Sequence, residues 1–94
     1  MAIIYDPKKN EKNIAKRGLS FDRVADFDFA TAVRSIDTRK EYGEVRIVEV
    51  GYLDQRLHVL CYVQIDADIR VISFRKANDR EVRKYAKAQT ADQR

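Results

Sequence analysis

The hydrophobic pattern of this chain changes period once. Up to about residue 32 the apolar side chains recur three and four apart. From Val33 to Lys76 they follow a two-residue period, in stretches rich in Val, Ile and Tyr. A period of two sends successive side chains to opposite faces of a strand, so this half of the chain must form a sheet. Its four stretches, 33–37, 45–53, 56–65 and 69–76, are joined by short polar connections, which predicts a four-stranded antiparallel meander. The third alternates most clearly, with Leu57, Val59, Cys61, Val63 and Ile65 on one face and Arg56, His58, Leu60, Tyr62 and Gln64 on the other. Asp54-Gln55 and Asp66-Ala67 are the predicted hairpin turns, although neither contains the Gly that a primed two-residue turn favours.

Helix signals flank the sheet region. Ile3-Ile4-Tyr5 reads as a short strand. Asp6 then acts as an N-cap and Pro7 takes the first helical position, where a missing donor costs nothing. The spacing predicts a helix over 7–17, closed by Gly18 in the left-handed conformation. Ser20 opens a second helix that turns Phe21 and Val24 toward the core. After the strands, Asn78 and Glu81 have capping-box spacing, and a last helix follows to about residue 88, with 90–94 expected to fray. Val82, Tyr85, Ala86 and Gln89 form its predicted docking stripe, opposite Arg80, Arg83, Lys84 and Lys87. An α+β fold in one domain, 1–94, follows from this order at this length.

Charge is unevenly placed. Residues 1–18 carry five basic against two acidic side chains, residues 19–68 six against ten, and residues 69–94 eight against three. Basic ends that meet in space would make the electrostatic footprint of a polyanion binder, whereas the bland alternative is a set of solvated helix faces. The longest apolar run, Val59 to Val63, is far shorter than a membrane-spanning helix requires, and the N-terminus reads as no secretory signal. One Cys forms no disulfide framework, so the cytoplasm is the expected compartment.

One His and one Cys on opposite strand faces do not make a zinc site, and the three glycines are too far apart for a nucleotide-binding loop. No metal or cofactor is implied, and Cys61 reads as a core thiol. Arginines remain: Arg46, Arg56, Arg70 and Arg75, with Glu44, His58 and Tyr62 near them in strand order. Guanidinium forks bind phosphoryl oxygens in bidentate fashion and stay charged, so converging forks can stabilise a phosphorane-like transition state without a metal. RNA supplies its own nucleophile, the 2′-hydroxyl, which makes RNA cleavage the matching chemistry. A non-catalytic module that holds nucleic acid or an acidic protein would use the same surface.

Two blocks of residues resemble the BrnT family of toxins from bacterial type II toxin–antitoxin systems. The first is Tyr5-Asp6-Pro7 with Lys9, Asn13, Lys16, Gly18 and Phe21. The second is Gly43-Glu44-x-Arg46, Gly51, Val59 and Tyr62, then Arg70-x-Ile72-Ser73-x-Arg75-x-Ala77 and Arg80-Glu81. The resemblance implies a RelE-like α+β fold and a metal-independent ribonuclease that blocks translation. It also implies a cognate ribbon-helix-helix antitoxin (BrnA-like), with operator DNA bound only by the complex of the two. By the same resemblance Arg70 and Arg75 stabilise charge, with Glu44, Arg46 and Tyr62 as secondary candidates. Two positions depart from the family pattern: Arg17 replaces a usual His, and Phe74 stands where Ala is usual. A guanidinium does not exchange protons near neutral pH, so His58 becomes the candidate for that role.

The competing structural roles are equally specific. Arg75 could pair with a carboxylate of the acidic segment 22–28, and Lys16 and Arg17 could complement a helix dipole. Unbroken alternation would put Arg70 and Arg75 on opposite faces, so a shared site needs a bulge or a place at the strand end. Lys16, Arg17, Arg56, Arg80, Arg83, Lys84 and Lys87 are the expected RNA-phosphate contacts.

Overall fold

The computed structural model describes residues 1–92. In chain order the elements are β1 (Ile3–Ile4), α1 (Pro7–Arg17), a 3-10 helix (Phe21–Asp26), β2 (Val33–Ile36), β3 (Ile47–Leu53), β4 (Arg56–Ile65), β5 (Asp68–Lys76) and α2 (Asp79–Asp92). The strands form one five-stranded sheet in the order β1-β5-β4-β3-β2. From β2 to β5 each strand runs antiparallel to the next, whereas β1 joins outside β5 and runs parallel to it, so the sheet is mixed. The parallel neighbour of β1 has no local signal, because the pairing joins Ile3 and Ile4 to Ile69 and Arg70.

Local chemistry accounts for the start and stop of α1. Asp6 is extended and accepts a hydrogen bond from the Lys8 N–H at 2.9 Å, and Pro7 follows it. Gly18 ends the helix at φ 65°, where its N–H bonds the Ile14 carbonyl at 2.8 Å. No residue of α1 is buried. Two asparagines hold it instead of an apolar stripe. Asn10 Oδ1 accepts from the Phe21 N–H at 2.7 Å, and Asn13 Nδ2 donates to the carbonyls of Leu19 and Phe74, each at 2.9 Å. The second of these carbonyls lies on β5 beyond the reach of the two-residue β1.

The second helix is a 3-10 helix and not the α-helix its spacing suggested. Phe21, Val24 and Phe27 recur every three residues, which matches three residues per turn, and all three are buried. They cover one face of the sheet with Leu53, Leu60, Tyr62, Ile69, Val71 and Phe74. Phe74, the departure from the family's usual Ala, is fully buried there and meets the Phe27 ring edge-on at 5.9 Å. The same crossing explains Gly51. A Cβ at this position would lie 2.8 Å from Phe27 Cζ and 2.9 Å from Ala32 Cβ, which leaves no room for any other side chain.

On the opposite face Leu57, Val59, Ala77 and Tyr85 make a smaller cluster under α2. The expected docking stripe of α2 is rotated. Tyr85 is buried and its hydroxyl donates to the Thr31 carbonyl at 2.9 Å, while Val82 and Ala86 are exposed. The capping box forms as expected, with Asn78 and Glu81 exchanging hydrogen bonds of 2.9 Å. The helix runs past the expected end, through Asp92; of the segment expected to fray, residues 93–94 lie outside the described residues. At the β3–β4 hairpin Asp54 and Gln55 take φ of 50° and 65°, a primed turn made without glycine.

The register of β4 on β5 contains one irregularity. Cys61 pairs with Ser73 and Tyr62 with Val71, so Ile72 is an extra residue in β5. The inward positions of β5 are therefore Ile69 and Val71, then Phe74.

Candidate functional site

The bulge at Ile72 decides where the two motif arginines go. Arg70 precedes it and Arg75 follows it, and the change of phase puts both on the face opposite the main core. They are five residues apart, roughly 15 Å of strand, so they form two stations and do not share one phosphoryl group.

The first station is an open groove of about 380 Å3, in which Arg75 is flanked by Arg39, Lys84, Asp37, Cys61 and Ser73. The Arg75 fork meets Glu81 in bidentate fashion, Nη1 and Nη2 each donating at 2.8 Å, and Nη1 also donates to the Lys76 carbonyl at 3.2 Å. These bonds hold the Glu81 carboxyl below the usual carboxylate range and raise the Arg75 pKa. The partner of Arg75 is thus Glu81 of the α2 cap and not an acid of segment 22–28. That segment is engaged elsewhere: Asp22 with Tyr5, Asp26 with Arg23, and Asp28 with Thr31. Arg39 is held by Asp37 at 2.9 and 2.8 Å, and Asp37 also accepts from the Tyr42 hydroxyl at 3.0 Å.

The second station is built on Glu44. It accepts two hydrogen bonds from Arg70 Nη2, at 2.7 and 2.9 Å, and one from Arg46 Nε at 3.2 Å. The Arg70 bonds, followed by those of Arg46, keep the Glu44 carboxyl below its ordinary range. The Arg46 guanidinium also lies over the Tyr42 ring, 4.1 Å from its centroid. Glu44, Arg46 and Arg70 are thus together, one station away from Arg75.

The remaining candidates are elsewhere. Tyr62 is buried in the main core on the other face, where its hydroxyl donates to Glu49 at 2.5 Å and accepts from Arg34 at 3.3 Å. Burial, then the Glu49 bond, pushes its phenol up to about 12. It does not reach either arginine station. His58 and Arg56 line a cleft of about 610 Å3 on that same other face, at the end of the sheet, with Arg17 and Lys76. His58 is 5% exposed, its Nδ1 is 2.8 Å from the Arg56 carbonyl, and burial lowers its pKa. It is not a proton acceptor for the Arg75 groove. Of the α2 cations only Lys84 lines the groove, whereas Arg80, Arg83 and Lys87 are exposed, as is Lys16 at the end of α1. Cys61 is buried, and desolvation raises its thiol pKa, which suits a structural thiol. Among the described residues no three His, Cys, Asp or Glu side chains cluster as metal ligands.

Arg39 carries no legible signal in the sequence because it sits in the irregular segment between β2 and β3, where no periodicity assigns a face. Its one local clue is Asp37 two residues earlier, the spacing that forms its ion pair.

These shifts give stability a sign with pH. The His58 pKa lies below its ordinary 6.5, so folding favours the neutral ring. That contribution is complete above pH 6.5 and is lost as pH falls through the lowered folded value. Glu44 and Glu81 lie below their ordinary 4.5, so their contributions are complete above that pH and are lost on further acidification. Urea midpoints taken from about pH 7.5 down to about pH 4 should therefore fall in two stages, and His58→Gln should remove the upper stage. A flat or rising series would contradict both assignments.

Five N–H donors are available on each guanidinium, and Arg75 spends only its Nη groups on Glu81 and Lys76. Among the described residues its Nε–H has no acceptor, so the fork is fixed on one side and open on the other. A guanidinium fork held in this way, on a sheet face that α2 covers only in part, keeps a donor suited to a phosphoryl oxygen. Residues 5–81 match the family model described as the ribonuclease toxin BrnT of type II toxin–antitoxin systems, and the chain belongs to that family. The family indicates a toxin with ribonuclease activity, and hence an RNA target and an antitoxin partner. No curated protein matches the chain. No helix among the described residues is long and apolar enough to cross a membrane.

Proposed function

We propose that this chain, a single RelE-like toxin domain, is a metal-independent endoribonuclease that inhibits translation in the cytoplasm. The RNA 2′-hydroxyl attacks the adjacent phosphorus, the bond to the 5′-oxygen of the next nucleotide breaks, and the products carry a 2′,3′-cyclic phosphate and a 5′-hydroxyl. The observation that carries this reading is the Arg75 fork, oriented by Glu81 beside Arg39 and Lys84 in an open groove. Its task is to neutralise the extra charge on the phosphoryl oxygens, with Arg39 as the second cation. Arg70 and Arg46, one station along the face, hold a neighbouring phosphate of the strand. Glu44 and Glu81, with depressed pKa values, are suited to aiming the forks and less to taking protons at neutral pH.

In this reading a cognate ribbon-helix-helix antitoxin neutralises the toxin by covering the same face and the exposed cations of α2, and operator DNA is bound by the complex alone. One observation favours the alternative, a non-catalytic basic module: Arg39, Arg46, Arg70 and Arg75 are all paired with carboxylates. Incubating the purified protein with RNA in excess EDTA separates the two. Cleavage leaving cyclic phosphate ends is expected; intact RNA that migrates with the protein would overturn the enzyme reading in favour of the module.

A further inference from the structure

The cleft on the far side of the sheet takes no part in the cleavage chemistry, yet its charge is less compensated than that of the groove. Its walls are Arg17 and Leu19 at the end of α1, Arg56 and His58 on β4, and Lys76 on β5, with the Arg23–Asp54 ion pair at the rim. Asp54 is the one carboxylate lining it, and both Asp54 oxygens are taken by Arg23 Nη2, at 2.8 and 2.9 Å. Among the described residues Arg17, Arg56 and Lys76 have no carboxylate within ion-pair distance. They differ in this from every arginine of the two stations on the other face.

The three cations come from distant parts of the chain. The β4–β5 register places His58 opposite Lys76, two residues from Arg56, and the Asn13 bond to β5 draws the end of α1 alongside. The helix dipole accounts for Arg17 at the end of α1, but not for Arg56 and Lys76 on strands. Gathering like charges around a concavity opposes folding, and an anion relieves it. His58 adds a neutral polar atom. Its Nδ1 bonds the Arg56 carbonyl at 2.8 Å and therefore carries the proton when the ring is neutral, which leaves Nε2 with a lone pair or, on protonation, a further N–H. The volume, about 610 Å3, is in the range that encloses a nucleotide-sized ligand.

We propose that this cleft is a phosphate subsite for single-stranded RNA, holding a backbone phosphate away from the scissile bond through Arg17, Arg56 and Lys76. The proposal rests on the ribonuclease reading for the identity of the strand. Consecutive residues of β5, Arg75 and Lys76, serve the groove and the cleft, so the two sites lie back to back across the end of the sheet.

The test uses the full chain and a fluorescent 2′-O-methyl RNA oligonucleotide, which lacks the attacking hydroxyl and so reports binding without cleavage. Anisotropy titrations across a salt series compare the natural protein with Arg17→Gln and with Arg56→Gln/Lys76→Gln. The double variant is expected to bind at least about 10-fold more weakly and to lower the slope of log affinity against log salt by about 1.4, or roughly 0.7 for each cation removed from a phosphate. Arg17 is exposed and lies outside both core clusters, so Arg17→Gln is expected to fold. Its slope change of about 0.7 covers the case in which the double variant fails to fold. Inorganic phosphate followed by NMR should shift the His58 ring signals of the natural protein and shift them much less in Arg56→Gln/Lys76→Gln; His58 signals that stay in place in the natural protein would overturn the subsite. Unchanged affinity and slope in folded variants would overturn the subsite, and normal RNA cleavage by those variants would leave the ribonuclease reading standing. An acidic peptide whose binding needs Arg56 and Lys76, while RNA binding does not, would also overturn it. Failure of the natural protein to cleave RNA in EDTA bears on the ribonuclease reading alone, because the phosphate titration does not depend on it.

Discussion

Arg75→Ala is expected to lower RNA cleavage by about 100- to 1,000-fold while the protein stays folded, the size of effect seen when one oriented donor is removed from a developing oxyanion. The side chain is one-third exposed and its fork serves the groove, so the main core is untouched. Glu81 retains its bond to the Asn78 N–H, and the α2 cap survives the substitution. Losing a partly exposed ion pair costs about 1 kcal/mol or less. Arg75→Lys should recover only part of the rate, since an ammonium restores the charge but not the planar fork. Cleavage of end-labelled RNA, with circular dichroism as the folding control, measures both. A folded Arg75→Ala protein that cleaves at the natural rate would remove Arg75 from the mechanism.

Asn13→Ala should be among the most destabilising single changes outside the core of this protein, by about 3 kcal/mol in urea unfolding. The size follows from what the amide does. It donates to the Leu19 and Phe74 carbonyls, and α1 has no buried side chain to keep it docked once those bonds are gone. Both carbonyls then lose their donor at once, and each such partly buried group left unpaired costs about 1 to 3 kcal/mol, reduced where water enters. The neighbouring position is the contrast. Ile14 is 46% exposed, and Ile14→Ala should change stability by less than about 0.5 kcal/mol. Equal effects at the two positions would mean that α1 is held by something other than its asparagines.

Both predictions turn on residues of the family motifs, and the motifs divide by role. Asp6, Pro7, Asn13, Gly18 and Phe21 build and dock α1, and Gly51 makes room for the chain that crosses it. Arg70 and Arg75 are the cations proposed to meet phosphate, and each is ion-paired, with Glu44 and Glu81 respectively. Tyr62, which the motif grouped with the arginines, belongs to the scaffold, since its phenol is committed to Glu49 inside the core.

What the amino-acid order settled unaided was whatever depends on near neighbours. The caps of α1 at Asp6 and Gly18, the Asn78–Glu81 box, the strand alternation and the burial of Phe21 and Val24 all follow from bonds or side-chain directions within a few residues. The mixed sheet, the bulge at Ile72, the choice of Glu81 over segment 22–28 as the partner of Arg75, and the arrival of Arg39 beside it were decided only in three dimensions. Each depends on which strand lies against which and in what register, and that is set by the packing of the whole core. One extra residue in β5 reverses every side chain beyond it, so the location of the arginine site was a tertiary outcome.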